Sequence, residues 1–302
     1  MEHTALIPSV AAEVFCNAVE KRYPDGSAEV LVLARDVIRR PGFELREKPK
    51  RKVWVDPDEA AEIAYRDLER EAIRAECSDR VSNKTDSHER ARRRARTAVR
   101  DLARSNAFDY FVTFTLDGTK VNRYDAAEIV KRLNVWLDNR VRRDGLRYVL
   151  VPELHKDGAI HFHGLINDAL RRVDSGTMTA PGWKKPRKPR SKAEAARWAA
   201  DGAVVVWNLP AWDFGFTTAI PLYGEREAAV GYVCKYVAKQ SEKIGGRWYY
   251  SGGDLQRPAT VYHNIPFVLE DAPTQPFEVP GLGCMAYRYF VKKGGDLHDA
   301  HG

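Results

Sequence analysis

The sequence predicts an α+β protein. Segments in which apolar and polar residues alternate with period two, including a strand–turn–strand unit over residues 148–166, are interspersed with segments whose apolar residues recur at helical spacing. The composition agrees: the 302 residues are 44% hydrophobic and 30% charged, the balance of a globular chain long enough for one large domain or a domain with an extension.

In chain order, Ala28-Glu-Val-Leu-Val-Leu-Ala34 reads as a strand and Pro41-Gly42 as a turn. Asp56, with Pro57 at the first helical position and acids close behind, starts a helix over about residues 57–76. Ser87 caps a second, Arg-rich helix reaching about residue 104. Phe108–Asp117 is rich in aromatic and Thr residues and reads as a buried strand. From Asp125 to about Arg143, Ile129, Leu133, Trp136 and Leu137 form one helical stripe. Tyr148–His155 and Ala159–Ile166 are strands joined by the turn Lys156-Asp157-Gly158. Residues 168–203 read as an insertion with a Pro/Lys/Arg loop and a short helix at about 191–200. Val204–Asn208 is a strand, and Trp212–Ala219 another with a bulge or turn at Gly215. A helix runs from Glu225 to about Glu242, followed by short extended pieces at 260–263 and 286–291. The expected division is a basic, largely helical N-terminal extension (1–104), a core (105–250) and an aromatic, Pro/Gly-containing segment (251–302) packed on it.

Charge indicates the class of partner. The formal charge is +7 and the pI near 9.1, and two runs are dense in cations. One contains Arg90, Arg92, Arg93, Arg94 and Arg96; the other contains Lys184, Lys185, Arg187, Lys188 and Arg190. Both read as footprints for a phosphate backbone, which positions a nucleic acid without reading its sequence. Trp183, Trp198 and Trp212 are candidates for stacking on single-stranded bases, with packing as the ordinary role. The four cysteines include no Cys-x-x-Cys pair, which argues against a zinc ribbon or a disulfide framework and for a reducing, cytoplasmic setting. No apolar run approaches the roughly twenty residues of a membrane helix, and the first residues lack the features of a secretion signal.

Two constellations carry chemistry. Tyr232-Val-Cys-Lys-Tyr-Val-Ala-Lys239 is Tyr-x-x-Lys written twice, which puts Tyr232 and Tyr236 one turn apart on a helix, with Lys235 and Lys239 in an adjacent row. Alone, such a face is packing plus solvated charge. His161 and His163 alternate on a strand and point to one face, a spacing that suits a divalent ion. The third ligand depends on register. With a three-residue loop and Gly158 left-handed, His155 pairs with Ala159 and Glu153 lies opposite His161; a two-residue loop would instead set Glu153 against Phe162. His155 is a further candidate nearer the turn, while Thr113, Thr115 and Asp117 share a face that lines the site or fills the sheet.

With these residues assembled, the chain resembles the HUH endonucleases, specifically the two-tyrosine rolling-circle replication initiators of small single-stranded-DNA phages and related prophages and plasmids. Phe111-Val-Thr-Phe-Thr-Leu116 resembles the family's first motif, His161-Phe162-His163 its histidine signature, and Tyr232–Lys239 its two-tyrosine motif. The resemblance spans about residues 105–245. It implies a central antiparallel sheet with flanking helices, related to the RNA-recognition-motif arrangement. It also implies His161 and His163 as ligands of Mg²⁺ or Mn²⁺, Glu153 as the third ligand, and Tyr232 and Tyr236 as nucleophiles with Lys235 and Lys239 beside them. Two imidazoles tilt intrinsic affinity toward manganese.

The implied activity is nicking and rejoining of single-stranded or hairpin origin DNA through a 5′-phosphotyrosyl link, in a bacterial host's cytoplasm, with the host's helicase and polymerase as partners and no membrane involvement. A metal and the lysines are expected to favour the phenolate over a phenol of pKa about 10. The alternatives are a two-tyrosine transposase or a relaxase with the same chemistry, and a non-catalytic nucleic-acid-binding regulator on a similar sheet. No Gly-x-x-x-x-Gly-Lys-Ser/Thr loop is present to suggest a fused helicase.

Overall fold

In a computed structural model the protein is α+β, with two large antiparallel sheets and four helices among the described residues. The structure describes residues 15–40, 84–222, 226–240, 242–269, 272–279 and 284–292; the expected turn at Pro41-Gly42 and helix at 57–76 lie outside them. In chain order the elements are β1 (Phe15–Cys16), β2 (Ala18–Arg22), β3 (Ala28–Leu33), β4 (Ile38–Arg39), α1 (Lys84–Ser105), β5 (Tyr110–Leu116), α2 (Ala126–Asp144), β6 (Tyr148–Leu154), β7 (Ile160–Ile166) and β8 (Val173–Thr179). They continue as α3 (Lys192–Ala200), β9 (Val204–Asn208), β10 (Gly215–Pro221), α4 (Arg226–Lys239), β11 (Tyr250–Gly252), β12 (Ala259–His263), β13 (Phe277–Val279) and β14 (Cys284–Val291).

The chain divides into two compact units. The larger, residues 23–25 and 89–258, contains a seven-stranded sheet in the order β11-β6-β7-β5-β10-β9-β8. Alternation along its central strands gives each face its own core. Val112, Phe114, Leu150, Phe162 and Ile166 face α2, whose stripe of Ile129, Leu133, Trp136 and Leu137 is buried against them. Val149, Val151 and Leu165 face the other way, under Val99 and Leu102 of α1 and Val233 and Val237 of α4. Leu165 therefore shares a face with the histidines, while Ile160 and Phe162 pack behind them. Trp212 lies in the first core, 4% exposed, and its indole donates to the Thr115 carbonyl at 3.2 Å, so it presents no ring to a ligand.

Local signals set most boundaries. Asp125 caps α2 by accepting from the amides of Ala127 and Glu128 (3.0 and 3.1 Å), an arrangement worth about 1 kcal/mol, and the left-handed Gly145 ends it. α1 begins at Lys84, so Ser87 lies within the helix rather than capping it. β8 was not expected from the sequence: Val173-Asp-Ser-Gly-Thr-Met-Thr is polar and bulged, as suits an edge strand. The predicted strand at 212–219 begins at Gly215 because Trp212 turns into the core.

The smaller unit contains the five-stranded sheet β12-β2-β3-β14-β13, which joins the two ends of the described chain. Glu20 is 3% exposed there; Arg22 donates to its carboxylate twice (2.8 and 3.0 Å), and His263 lies at 2.8 Å. Burial alone would raise its pKa, but the hydrogen bonds of Arg22 and His263 outweigh it and hold the carboxyl below 4.5.

This packing has two measurable consequences. A Cβ on Gly164, next to His163, would lie 1.9 Å from the Val149 carbonyl oxygen and 2.8 Å from the Leu150 Cα, both backbone atoms unable to yield cheaply. Gly164→Ala should therefore lower urea-melt stability by about 2 kcal/mol or more, the scale of an overpacked core. Because its folded pKa is depressed, Glu20 stabilises the fold above pH 4.5 and loses that contribution as pH falls through the folded value. Glu20→Gln should cost about 1–3 kcal/mol at neutral pH and nearly nothing at about pH 3, as measured by melts at both values.

Candidate active site

The site is built on the β6–β7 hairpin. The His155 amide donates to the Ala159 carbonyl and the Gly158 amide to the His155 carbonyl, both at 2.8 Å, closing a three-residue loop with Gly158 at φ 85°. Glu153 consequently pairs with His161, and Val151 with His163.

Both imidazoles are held from the neighbouring strand. Thr113 Oγ1 lies 3.0 Å from His163 Nδ1, and Thr115 Oγ1 lies 3.4 Å from His161 Nδ1. The pairings Thr113–His163 and Thr115–His161 in the β5–β7 ladder make these contacts direct. Of the residues that shared the predicted face, Asp117 turns away and accepts from the Thr119 amide and hydroxyl (3.0 and 2.8 Å). Glu153 meets the diagonal histidine: its Oε2 lies 2.9 Å from His163 Nε2, while its Oε1 lies 3.7 Å from Lys239 Nζ. His155 is exposed, bonded to Asp157 at 3.1 Å, and its ring stacks on His161 at 5.3 Å. Burial lowers the pKa of His161, with a smaller contribution from His155. Burial also outweighs Glu153 at His163 and lowers its pKa to about 4, so that ring is neutral at pH 7 and its Nε2–H donates to Glu153.

The tyrosines stand directly above. Tyr236 stacks on the His163 ring with centroids 4.2 Å apart at 16°, and its hydroxyl donates to the Tyr232 hydroxyl at 3.1 Å. Phe111 supports both, edge-on to Tyr232 at 4.8 Å and stacked with Tyr236 at 6.0 Å. Tyr232 is 47% exposed and Tyr236 half-buried. Lys239 places its ammonium 5.4 Å from the centre of the Tyr236 ring, and Lys235 is exposed. The expectation that lysine lowers the phenol's pKa is not met at Tyr236. Burial, and after it the hydrogen bond to Tyr232, hold this phenol well above its ordinary value.

Two contacts fix the height of α4, and neither was legible beforehand. Gln240 donates to the Pro152 carbonyl on β6, at a position beyond the reach of β11, where proline's missing amide costs no ladder bond. Arg92 donates to the carbonyls of Ala238 and Gln240 at 3.2 and 3.1 Å, satisfying acceptors at the C-terminal end of α4 where a cation is also favoured by the helix dipole. Arg92 thus spends donors on the protein, whereas Arg90, Arg93, Arg94 and Arg96 are exposed on α1. Lys184, Lys185, Arg187, Lys188 and Arg190 are on the loop between β8 and α3, with Lys184, Lys185, Arg187 and Lys188 exposed. There Arg187 stacks over Trp183 at 4.4 Å, and Trp183 meets Trp198 edge to face at 5.0 Å. A cleft lined by Glu153, Lys239, Gln240 and Glu242 opens beside the site.

Comparison with known proteins adds one finding. Residues 109–241 match the family model of the replication-associated protein ORF2. The similarity supports a replication-associated protein. It spans Glu153, both histidines, both tyrosines and both lysines, whereas α1 and the five-stranded sheet fall outside it. No curated protein and no solved structure matches. Among the described residues, no helix is long and apolar enough to cross a membrane.

Arg92→Ala should lower stability by about 1–3 kcal/mol in urea melts, the cost of leaving acceptors without a charged donor, and Arg92→Lys should recover part of it. Arg93→Ala, at an exposed position, should leave the melt within about 0.5 kcal/mol of the parent.

Proposed function

We propose that this protein initiates rolling-circle replication by cutting and rejoining single-stranded DNA with tyrosine. The observation that carries the reading is the stacking of Tyr236 on His163, with the Tyr232 hydroxyl 3.1 Å from that of Tyr236. Two phenols beside two strand-borne imidazoles and a carboxylate provide nucleophiles and divalent-ion ligands in one place. The match of residues 109–241 to a replication-associated family supports the biological setting.

The donor set fits a divalent ion. Both histidines have Nδ1 at a threonine hydroxyl, the outer support typical of metal-ligating imidazoles, leaving each Nε2 for the ligand side. His163 is neutral, as a ligand must be. Among the described residues no three His, Cys, Asp or Glu side chains are gathered as a finished cage, because Glu153 is hydrogen-bonded to His163. His161, His163 and Glu153 would hold Mg²⁺ or Mn²⁺, whose positive charge would supply electrophilic polarisation of a phosphate.

The chain's own residues perform the transfer. A tyrosine oxygen attacks the scissile phosphorus, the bond from phosphorus to the 3′ oxygen breaks, and that oxygen leaves as a 3′-hydroxyl after taking a proton. The 5′ phosphate remains on the tyrosine, so the bond energy is stored and the strand can be rejoined without ATP. Two tyrosines on one helix face divide the work: one holds the parental 5′ end while the other cuts the regenerated origin. Lys235 and Lys239 supply positive charge to the strand passing the helix, and the exposed cations of α1 and the 184–190 loop hold its phosphates. Host helicase and polymerase extend the released 3′ end. A transposase or relaxase would share this chemistry, and a purely binding protein would leave the tyrosine–histidine stack without a purpose.

Incubation with origin-containing single-stranded DNA and Mn²⁺ is expected to give a denaturation-resistant adduct. Tyr232→Phe with Tyr236→Phe should abolish it, and each single change should block a different step of strand transfer; full transfer by both single variants would rule out the division of labour. Thr113→Val should weaken Mn²⁺ binding about 10- to 100-fold while leaving the fold intact, as read by calorimetry and circular dichroism.

A further inference from the structure

Glu153, His161, Thr115 and Phe216 form one row across four adjacent strands, each paired with the next. Paired residues project to the same face, so Phe216 stands on the histidine side of the sheet, two strands beyond His161 and about 10 Å from it. Burial agrees with the register: its neighbour Thr217 is 7% exposed on the opposite face, whereas Phe216 is 67% exposed. The tyrosine helix closes this face over β6 and β7 by packing on Val149, Val151 and Leu165. Beyond it, around Phe216, the face carries the hydroxyls of Thr113, Thr115 and Thr218, paired in the same ladder. An isolated exposed phenyl is ordinary on a protein surface. This one lies in register with the candidate ligands, on an open hydroxyl-lined face, where a strand placed at His161 and His163 must continue.

We propose that Phe216 is a stacking platform for a nucleobase of single-stranded DNA beside the scissile phosphate. The proposal rests on the nuclease reading for the identity of that phosphate. A flat aromatic side chain accepts any base by its π face, so the platform would hold the strand without choosing its sequence. Duplex DNA, whose bases are stacked on one another, would gain nothing from it.

The test uses the full-length protein without added metal, a single-stranded oligothymidylate carrying one 2-aminopurine at successive positions, and a duplex of the same length. Phe216→Ala should weaken single-strand binding about tenfold and remove fluorescence quenching at one position, with duplex binding unchanged. Phe216→Trp should preserve both signals. Phe290→Ala, which removes a 53% exposed aromatic from the five-stranded sheet, should change neither. Unaltered single-strand binding by Phe216→Ala, or an equal loss in Phe290→Ala, would overturn the proposal. The two readings fail separately: adduct formation with unaltered binding by Phe216→Ala removes only the platform, whereas position-specific quenching without any adduct removes only the nuclease.

Discussion

The site depends on the register of one hairpin. The three-residue loop at 156–158 closes because Gly158 adopts a positive φ, and the pairing of Glu153 with His161 follows from that closure. Side chains alternate with period two, so a slip of one residue would turn Glu153 away from both histidines and bury it among the residues facing α2. The same register extends outward through β5 and β10. It brings Thr113 and Thr115 to the imidazoles and places Phe216 at the open end of the row. Gly164 completes the constraint by admitting the β6 backbone closer than any side chain would allow.

A second layer holds the tyrosines at the right height. The α4 helix has apolar contacts with the sheet through Val233 and Val237, but these alone fix neither its rotation nor its axial position. Arg92 and Gln240 grip its C-terminal end from α1 and β6, and Phe111 fills the space beneath both phenols. Tyr236 gains ring stacking on His163 and at the same time loses hydration, which raises its pKa. A phenol held this way is well positioned and poorly ionised, so positive charge brought near its oxygen is what would make it reactive.

The basic segments show how composition underdetermines role. The two cation runs look alike in sequence, and most of their side chains are exposed. Arg92 differs only because its place on α1 faces the carbonyl end of another helix. The tryptophans divide similarly: Trp212 is core, whereas Trp183 forms a surface cluster with Arg187 and Trp198.

Much of the larger unit was legible because its signals are local. The stripe and cap of α2, the alternation of β5, β6 and β7, and the i, i+4 spacing of Tyr232 and Tyr236 each depend on neighbours within a few residues. The hairpin register was legible as a choice between two loops. The sequence by itself determined which residue types share a face. Tertiary structure decided what meets across elements: Thr113 with His163, Tyr236 over the same ring, Arg92 at the end of α4, and β2 and β3 beside strands from the far end of the chain. Those contacts join residues far apart along the chain, where periodicity carries no information and only the closing of the two cores selects the partner.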